Sequence, residues 1–174
     1  MHGNMNMDKE LLEINITDLG LYKKKKIKQH FVKSTDVGQK GDVIDILTKE
    51  GVIELLVDEN TYIMIGNFED IYPIAKNIFD FRYRIVEIGD INQTVRDFIN
   101  HYSISKEKIK GCQLREDVFV YAKEIDSSFC VYEKYTHSIL KGNPGDYYAI
   151  SREDLSNTYI IQKDIMEKSY DPIL

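Results

Sequence analysis

Two sets of side chains share the same spacing and the same chemistry: Tyr72, Lys76 and Tyr83, and Tyr159, Lys163 and Tyr170. A phenol offers a flat π face and a hydroxyl, and an ammonium offers a fixed positive charge. Two such rims facing one another would form a cleft suited to a planar anion such as a nucleotide. Tyr148 and Arg152, with Lys141, add to the later set. The plainer reading is that the rings fill the space between a sheet and a helix while the lysines stay solvated. A second cationic feature is the run Lys23, Lys24, Lys25, Lys26 and Lys28, continued by Lys33, with no acidic residue between Tyr22 and Lys33. It reads either as an anion patch or as an edge strand whose lysines discourage pairing with another chain.

Other reactive constellations are sparse. His2, His30, His101 and His137 are scattered, and none stands four residues from another His or a Cys, so no metal site is expected. Cys130 and His137 are a nucleophile–base pair in principle. Cys130, however, lies between Phe129 and Val131 in an apolar stretch and reads as core. Glu153 and Asp154 are neighbouring carboxylates, and adjacent side chains diverge, which argues against an acid–base pair. No phosphate loop, dinucleotide fingerprint or nucleophile elbow is present. No catalytic residue and no cofactor are therefore expected.

The chain of 174 residues has room for one ordinary domain or two small ones. Its net charge of −6 argues against a nucleic-acid partner. No apolar run approaches the ~18 residues of a membrane span, and Met1 to Met7 has no signal-peptide core, so a cytoplasmic protein is expected. Cys112 and Cys130 lack C-x-x-C spacing and read as reduced structural thiols.

The elements that must position these side chains follow from hydrophobic period and turn chemistry. Met1 to Met7 is expected to be disordered, and Asp8 to cap a short helix carrying Leu11 and Leu12. Lys26 to Ser34 reads as a strand, and Val43 to Thr48 with Val52 to Val57 as a hairpin about Glu50-Gly51. Tyr62 to Ile65 is a further strand. Arg84 to Ile88 leads away from it to an amphipathic helix over Ile91 to Tyr102, with Asp90 and Gln93 at its start. Ser105 to Lys110 adds a helical turn that Gly111 stops. Strands are expected at Val118 to Ala122, Phe129 to Lys134, Thr136 to Leu140, Asp146 to Ile150 and Thr158 to Ile161. Pro144-Gly145 supplies the fixed φ and the positive φ of a type II turn. Lys163 to Tyr170 closes the chain as a helix, with Asp164 and Glu167 as a capping pair and Pro172 as its stop.

Tyr72 to Tyr83 matches Tyr159 to Tyr170 at a constant offset, and a one-residue adjustment aligns Tyr62 with Tyr148. This predicts an internal duplication: an α+β protein of two related antiparallel-sheet units, each closed by a short helix, joined by an amphipathic helix. The expected divisions are an N-terminal tail over 1–20, a first unit over 21–88, a connecting segment over 89–113 and a second unit over 114–174.

Lys141-Gly142-Asn143-Pro144-Gly145-Asp146-Tyr147, followed by Tyr159-x-Ile161 and Ile165-Met166-x-x-x-Tyr170, resembles the PGDYG family, a small bacterial and phage domain. The resemblance covers roughly 118–170, with Tyr148 in place of the motif's final Gly. It reaches a degenerate copy near 26–85 only through the internal match. It implies a fold unit and no catalytic residues. The resulting expectation is a non-enzymatic binding protein that takes a small anionic ligand between its repeats. The alternative is a protein-interaction module or inhibitor of phage or bacterial origin acting through a sheet edge or apolar patch.

Overall fold

Alternating side chains dictate most of the molecule. The computed structural model describes residues 10–134 and 137–174. His2, the expected tail Met1 to Met7 and the Asp8 cap lie outside the described residues, as does Thr136, the expected start of a strand. Leu11 is not helical: it forms a parallel bridge with Cys130, and the Leu12 amide donates to the Cys130 carbonyl at 2.9 Å. The described chain is an α+β protein of several antiparallel sheets with three α-helices.

After a single 3-10 turn, β1 (Gly20–Lys24) enters. The chain then builds β2 (Gln29–Lys33), the hairpin β3 (Val43–Thr48) and β4 (Gly51–Leu56), β5 (Thr61–Ile65), β6 (Ile71–Ala75), α1 (Lys76–Arg82), β7 (Tyr83–Val86), α2 (Gln93–Tyr102) and β8 (Lys110–Leu114). It ends with β9 (Phe119–Glu124), the hairpin β10 (Phe129–Glu133) and β11 (Ser138–Gly142), β12 (Tyr147–Ser151), β13 (Thr158–Ile161), α3 (Lys163–Ser169) and β14 (Tyr170–Pro172).

Two compact units result, 26–117 and 1–25 with 118–174. The expected first division at residue 88 and the connecting segment 89–113 fall inside the first of these. Residues 1–25 belong with the C-terminal part of the chain.

In the unit 26–117 the sheet order is β6-β5-β2-β8-β7, with β3-β4 as a separate hairpin. Residues directly opposite across an antiparallel pair share a face of the sheet. Phe31 opposite Met64, Lys33 opposite Tyr62, Met64 opposite Tyr72 and Tyr83 opposite Leu114 therefore share one face. On it Phe79 of α1 meets Phe31 at 4.3 Å, Tyr62 at 5.1 Å and Tyr83 at 5.3 Å between ring centroids. The inner face of the hairpin buries Ile46, Ile53 and Leu55. Asn92, not Asp90, caps α2: its Oδ1 accepts from the Val95 amide at 2.9 Å. Gly111 does not stop a helix but lies within β8, where an added Cβ would come within 2.9 Å of the Val86 carbonyl oxygen.

In the unit formed by 1–25 and 118–174 the order is β13-β12-β9-β1-β14, with β10-β11 as its hairpin. The lysine-rich β1 is an inner strand between β9 and β14 rather than an edge. The Asn143–Asp146 turn is closed by the Asp146 amide bonding to the Asn143 carbonyl at 3.0 Å, and Gly145 takes φ +96°. Buried Asp146 then accepts from the Asn143 amide at 2.9 Å and from the Lys163 amide, at the first residue of α3, at 3.4 Å. It holds both the turn and the helix start; Asp164 and Glu167 do not form the expected capping pair, and the α3 N-cap Gln162 makes no side-chain capping bond. Pro172 ends no helix: it lies in β14, an edge strand, where a missing N–H is tolerated.

Candidate functional site

The expected ligand residues do not form one kind of rim. In the unit 26–117, Tyr72 and Tyr83 share the α1-facing side, and their hydroxyls hydrogen-bond to one another. Burial first, then the Tyr83 and Asp70 oxygens, hold the Tyr72 phenol well above its ordinary range, so this half-buried side chain carries a neutral hydroxyl. Lys76 bonds to Asp80 at 2.6 Å along the exposed side of α1.

The other set is placed differently. Tyr148 lies opposite Ile160, while Tyr159 lies opposite Ala149. Tyr159 is therefore on the reverse face from Tyr148, whereas Tyr72 shares the face of Tyr62. By register Tyr72 corresponds to Thr158 and Ile74 to Ile160; the one-residue adjustment falls at Gln162, between strand and helix. Tyr170 is opposite Lys24 and shares the Tyr159 face. Lys163 faces Glu124 at 3.6 Å, and the Arg152 guanidinium lies 4.9 Å from the Phe119 ring centre.

The basic run is also divided. Lys23 and Lys24 are consecutive on β1 and point to opposite faces. Lys25 pairs with Asp171 at 3.7 Å and Lys26 with Asp117 at 3.4 Å, in different units. Lys28 is exposed and lies beside His30. Cys130 is buried, and the His137 ring bonds to the Tyr132 hydroxyl. Among the described residues no three His, Cys, Asp or Glu side chains are grouped to hold a metal ion.

The β3–β4 hairpin offers a different kind of site. Its inner face is covered, but its outer face presents three cross-strand pairs: Val43 with Leu56, Asp45 with Glu54, and Leu47 with Val52. The four aliphatic side chains are 46–59% exposed and form two apolar pairs, one on each side of an acidic pair, rather than partly covered core. Asp45 and Glu54 are that acidic pair, both exposed, with no ion-pair partner among the described residues. Like charges directly opposite one another are unfavourable in a sheet.

The edges of this hairpin differ. The Tyr102 hydroxyl, delivered by the last turn of α2, accepts from the Leu47 amide at 3.0 Å and donates to the Asp45 carbonyl at 3.2 Å. The amide and carbonyl of Asp45 and Leu47 thus point away from β4, which makes their pairs with Glu54 and Val52 the non-hydrogen-bonded kind. On the far side, the amides and carbonyls of Val52, Glu54 and Leu56 point outward from β4. Among the described residues no strand pairs with that edge. Three other edges carry features that discourage pairing: Pro73 removes a donor from β6, Pro172 one from β14, and the Leu11–Leu12 backbone lies along β10.

Sequence reasoning located this hairpin without assigning it a role. The signal was present in Val43 to Leu47 and Val52 to Leu56, which are apolar on both faces, although a hairpin with one neighbour covers only one. No family model, curated protein or solved structure matches the chain. Among the described residues no helix is long and apolar enough to cross a membrane.

Proposed function

We propose that this chain is a non-catalytic protein-binding module that engages its partner through the outer face and open edge of β3–β4. The observation that carries the reading is the coincidence of exposed aliphatic pairs with outward-pointing backbone groups on one strand. An extended segment laid on such an edge gains main-chain hydrogen bonds and side-chain contacts together. The nucleotide-cleft reading has less support, because Lys76 and Lys163 each face a carboxylate and the two tyrosine sets lie on non-equivalent faces.

The test is site-specific photo-crosslinking in cells. A crosslinking side chain at Val52 should give a discrete protein adduct that one at exposed Phe81 does not, and Leu47→Thr with Leu56→Thr should abolish it. Equal adducts from both positions, or none from Val52, would remove the proposal.

We also propose that the molecule arose by duplication, with a PGDYG-like unit over 118–170. Several observations support this. The order β2, β3, β4, β5, β6, α1, β7 has the same succession of elements as β9, β10, β11, β12, β13, α3, β14. Both helices have seven residues. Lys33 is opposite Tyr62 as Lys123 is opposite Tyr148. At the place where Asp146 accepts the first amide of α3, the Asn60 carbonyl accepts that of α1 at 2.7 Å. The inner strand differs in origin: β8 follows its sheet in sequence, while β1 precedes its own. If the repeats are β1–β7 and β8–β14, each has given its first strand to the other's sheet.

A further inference from the structure

We infer that the segment received by β4 is an extended strand in antiparallel register, carrying a basic residue opposite Glu54 and aliphatic residues opposite Val52 and Leu56. This rests on the docking reading above and adds the chemistry of the partner.

Two features fix the pattern. Val52, Glu54 and Leu56 alternate on one face, and the same residues direct their amides and carbonyls to the open edge. A strand hydrogen-bonded to them places its own side chains opposite theirs, on the same face. The partner positions are therefore every second residue. Beside Val52 and Leu56 an aliphatic side chain extends the existing apolar pair. Beside Glu54 the neighbour meets a carboxylate already flanked by Asp45, the two about 5 Å apart at Cβ, as is usual for such pairs. A guanidinium or ammonium there relieves the repulsion between them, while an acid adds to it.

The same geometry argues against a second copy of this chain as the occupant. Antiparallel pairing of β4 with itself about Glu54 sets one Glu54 against the other. The acid thus serves two ends, discouraging self-pairing and selecting a cation.

The experiment is an NMR titration of the full-length, isotope-labelled protein with two capped peptides, Thr-Val-Thr-Arg-Thr-Val-Thr and the same sequence with Glu for Arg. The Arg peptide should shift the amides of Val52, Glu54 and Leu56 and bind about fivefold more tightly than the Glu peptide, in keeping with one cross-strand charge pair. Glu54→Gln should shrink that preference while the shifts stay at the same amides. If both peptides bind the edge equally, the cation is the wrong assignment although the docking site stands. If neither moves these amides, the docking site itself fails and this inference with it. Shifts confined to other surfaces overturn the register as well.

Discussion

At the scale of single residues, two buried polar groups carry the most consequence. Asp146 accepts from two backbone amides, one in its turn and one at the start of α3. Removing a buried acceptor leaves both donors unpaired, so Asp146→Ala should cost about 1–3 kcal/mol in urea unfolding. His30 sits on the inner strand β2, and its Nδ1 has no hydrogen-bond partner. Burial first, then Lys28, lowers its pKa below the ordinary 6.5. Below about pH 6.5 the unfolded chain then binds a proton that the folded chain resists, so stability falls as pH drops from there through the folded pKa. His30→Leu should flatten this dependence between pH 7.5 and 5; an unchanged slope would assign it to other groups.

Asp146 was legible only in part. The Pro-Gly turn followed from φ preferences alone, and Gly145 takes the positive φ those preferences demand. The carboxylate's reach to Lys163 was not legible, because it depends on the β12–β13 hairpin bringing the turn beneath the helix. The Tyr–Lys spacing misled for a related reason. Counting from Tyr72 and Tyr159 assumes a shared register, and one residue at Gln162 reverses which face a tyrosine occupies.

At the scale of elements, strands with clean alternation were read within a residue or two, as were α2 and α3, while β2 begins three residues later than expected. The strands that escaped are β1, β6, β7, β8 and β14. All but β7 carry residues that disfavour a strand locally: lysines in β1, Pro73 in β6, Gly111 in β8, Pro172 in β14. Their neighbours in the sheet override those preferences. The β3–β4 hairpin is the reverse case, read correctly from its pattern although its exposed face depends on what the fold leaves uncovered. Its acids guard the edge against copies of itself, which gives a further prediction. Glu54→Val removes the like-charge clash and leaves an unbroken aliphatic row on an open edge. The variant should show concentration-dependent dimers or larger species by sedimentation velocity where the parent does not; a monomeric variant would mean that the edge is closed by something else.

At the scale of the whole molecule, the division of the chain is not contiguous. The sheet β13-β12-β9-β1-β14 takes an inner strand from residues 20–24, before 26–117 is made. An inner strand supplies hydrogen bonds to two neighbours, so its loss splits the sheet rather than fraying it. Deleting 1–25 should therefore abolish hydrogen-exchange protection across β9 to β14 while leaving β2, β5 and β8 protected. Retained protection across β9 to β14 would show β1 to be dispensable and weaken the exchanged-strand account. This arrangement could not be read from local pattern, since Leu21 and Tyr22 amid lysines give no hint that their partners lie about a hundred residues away.

The docking account depends most on β4 having a free edge, and amide exchange in the isolated full-length protein measures that directly. The account predicts alternation along the strand: slow exchange at Ile53 and Leu55, whose amides pair with β3, and fast exchange at Val52, Glu54 and Leu56. Slow exchange at all five residues would mean that the edge is already covered, and would contradict it.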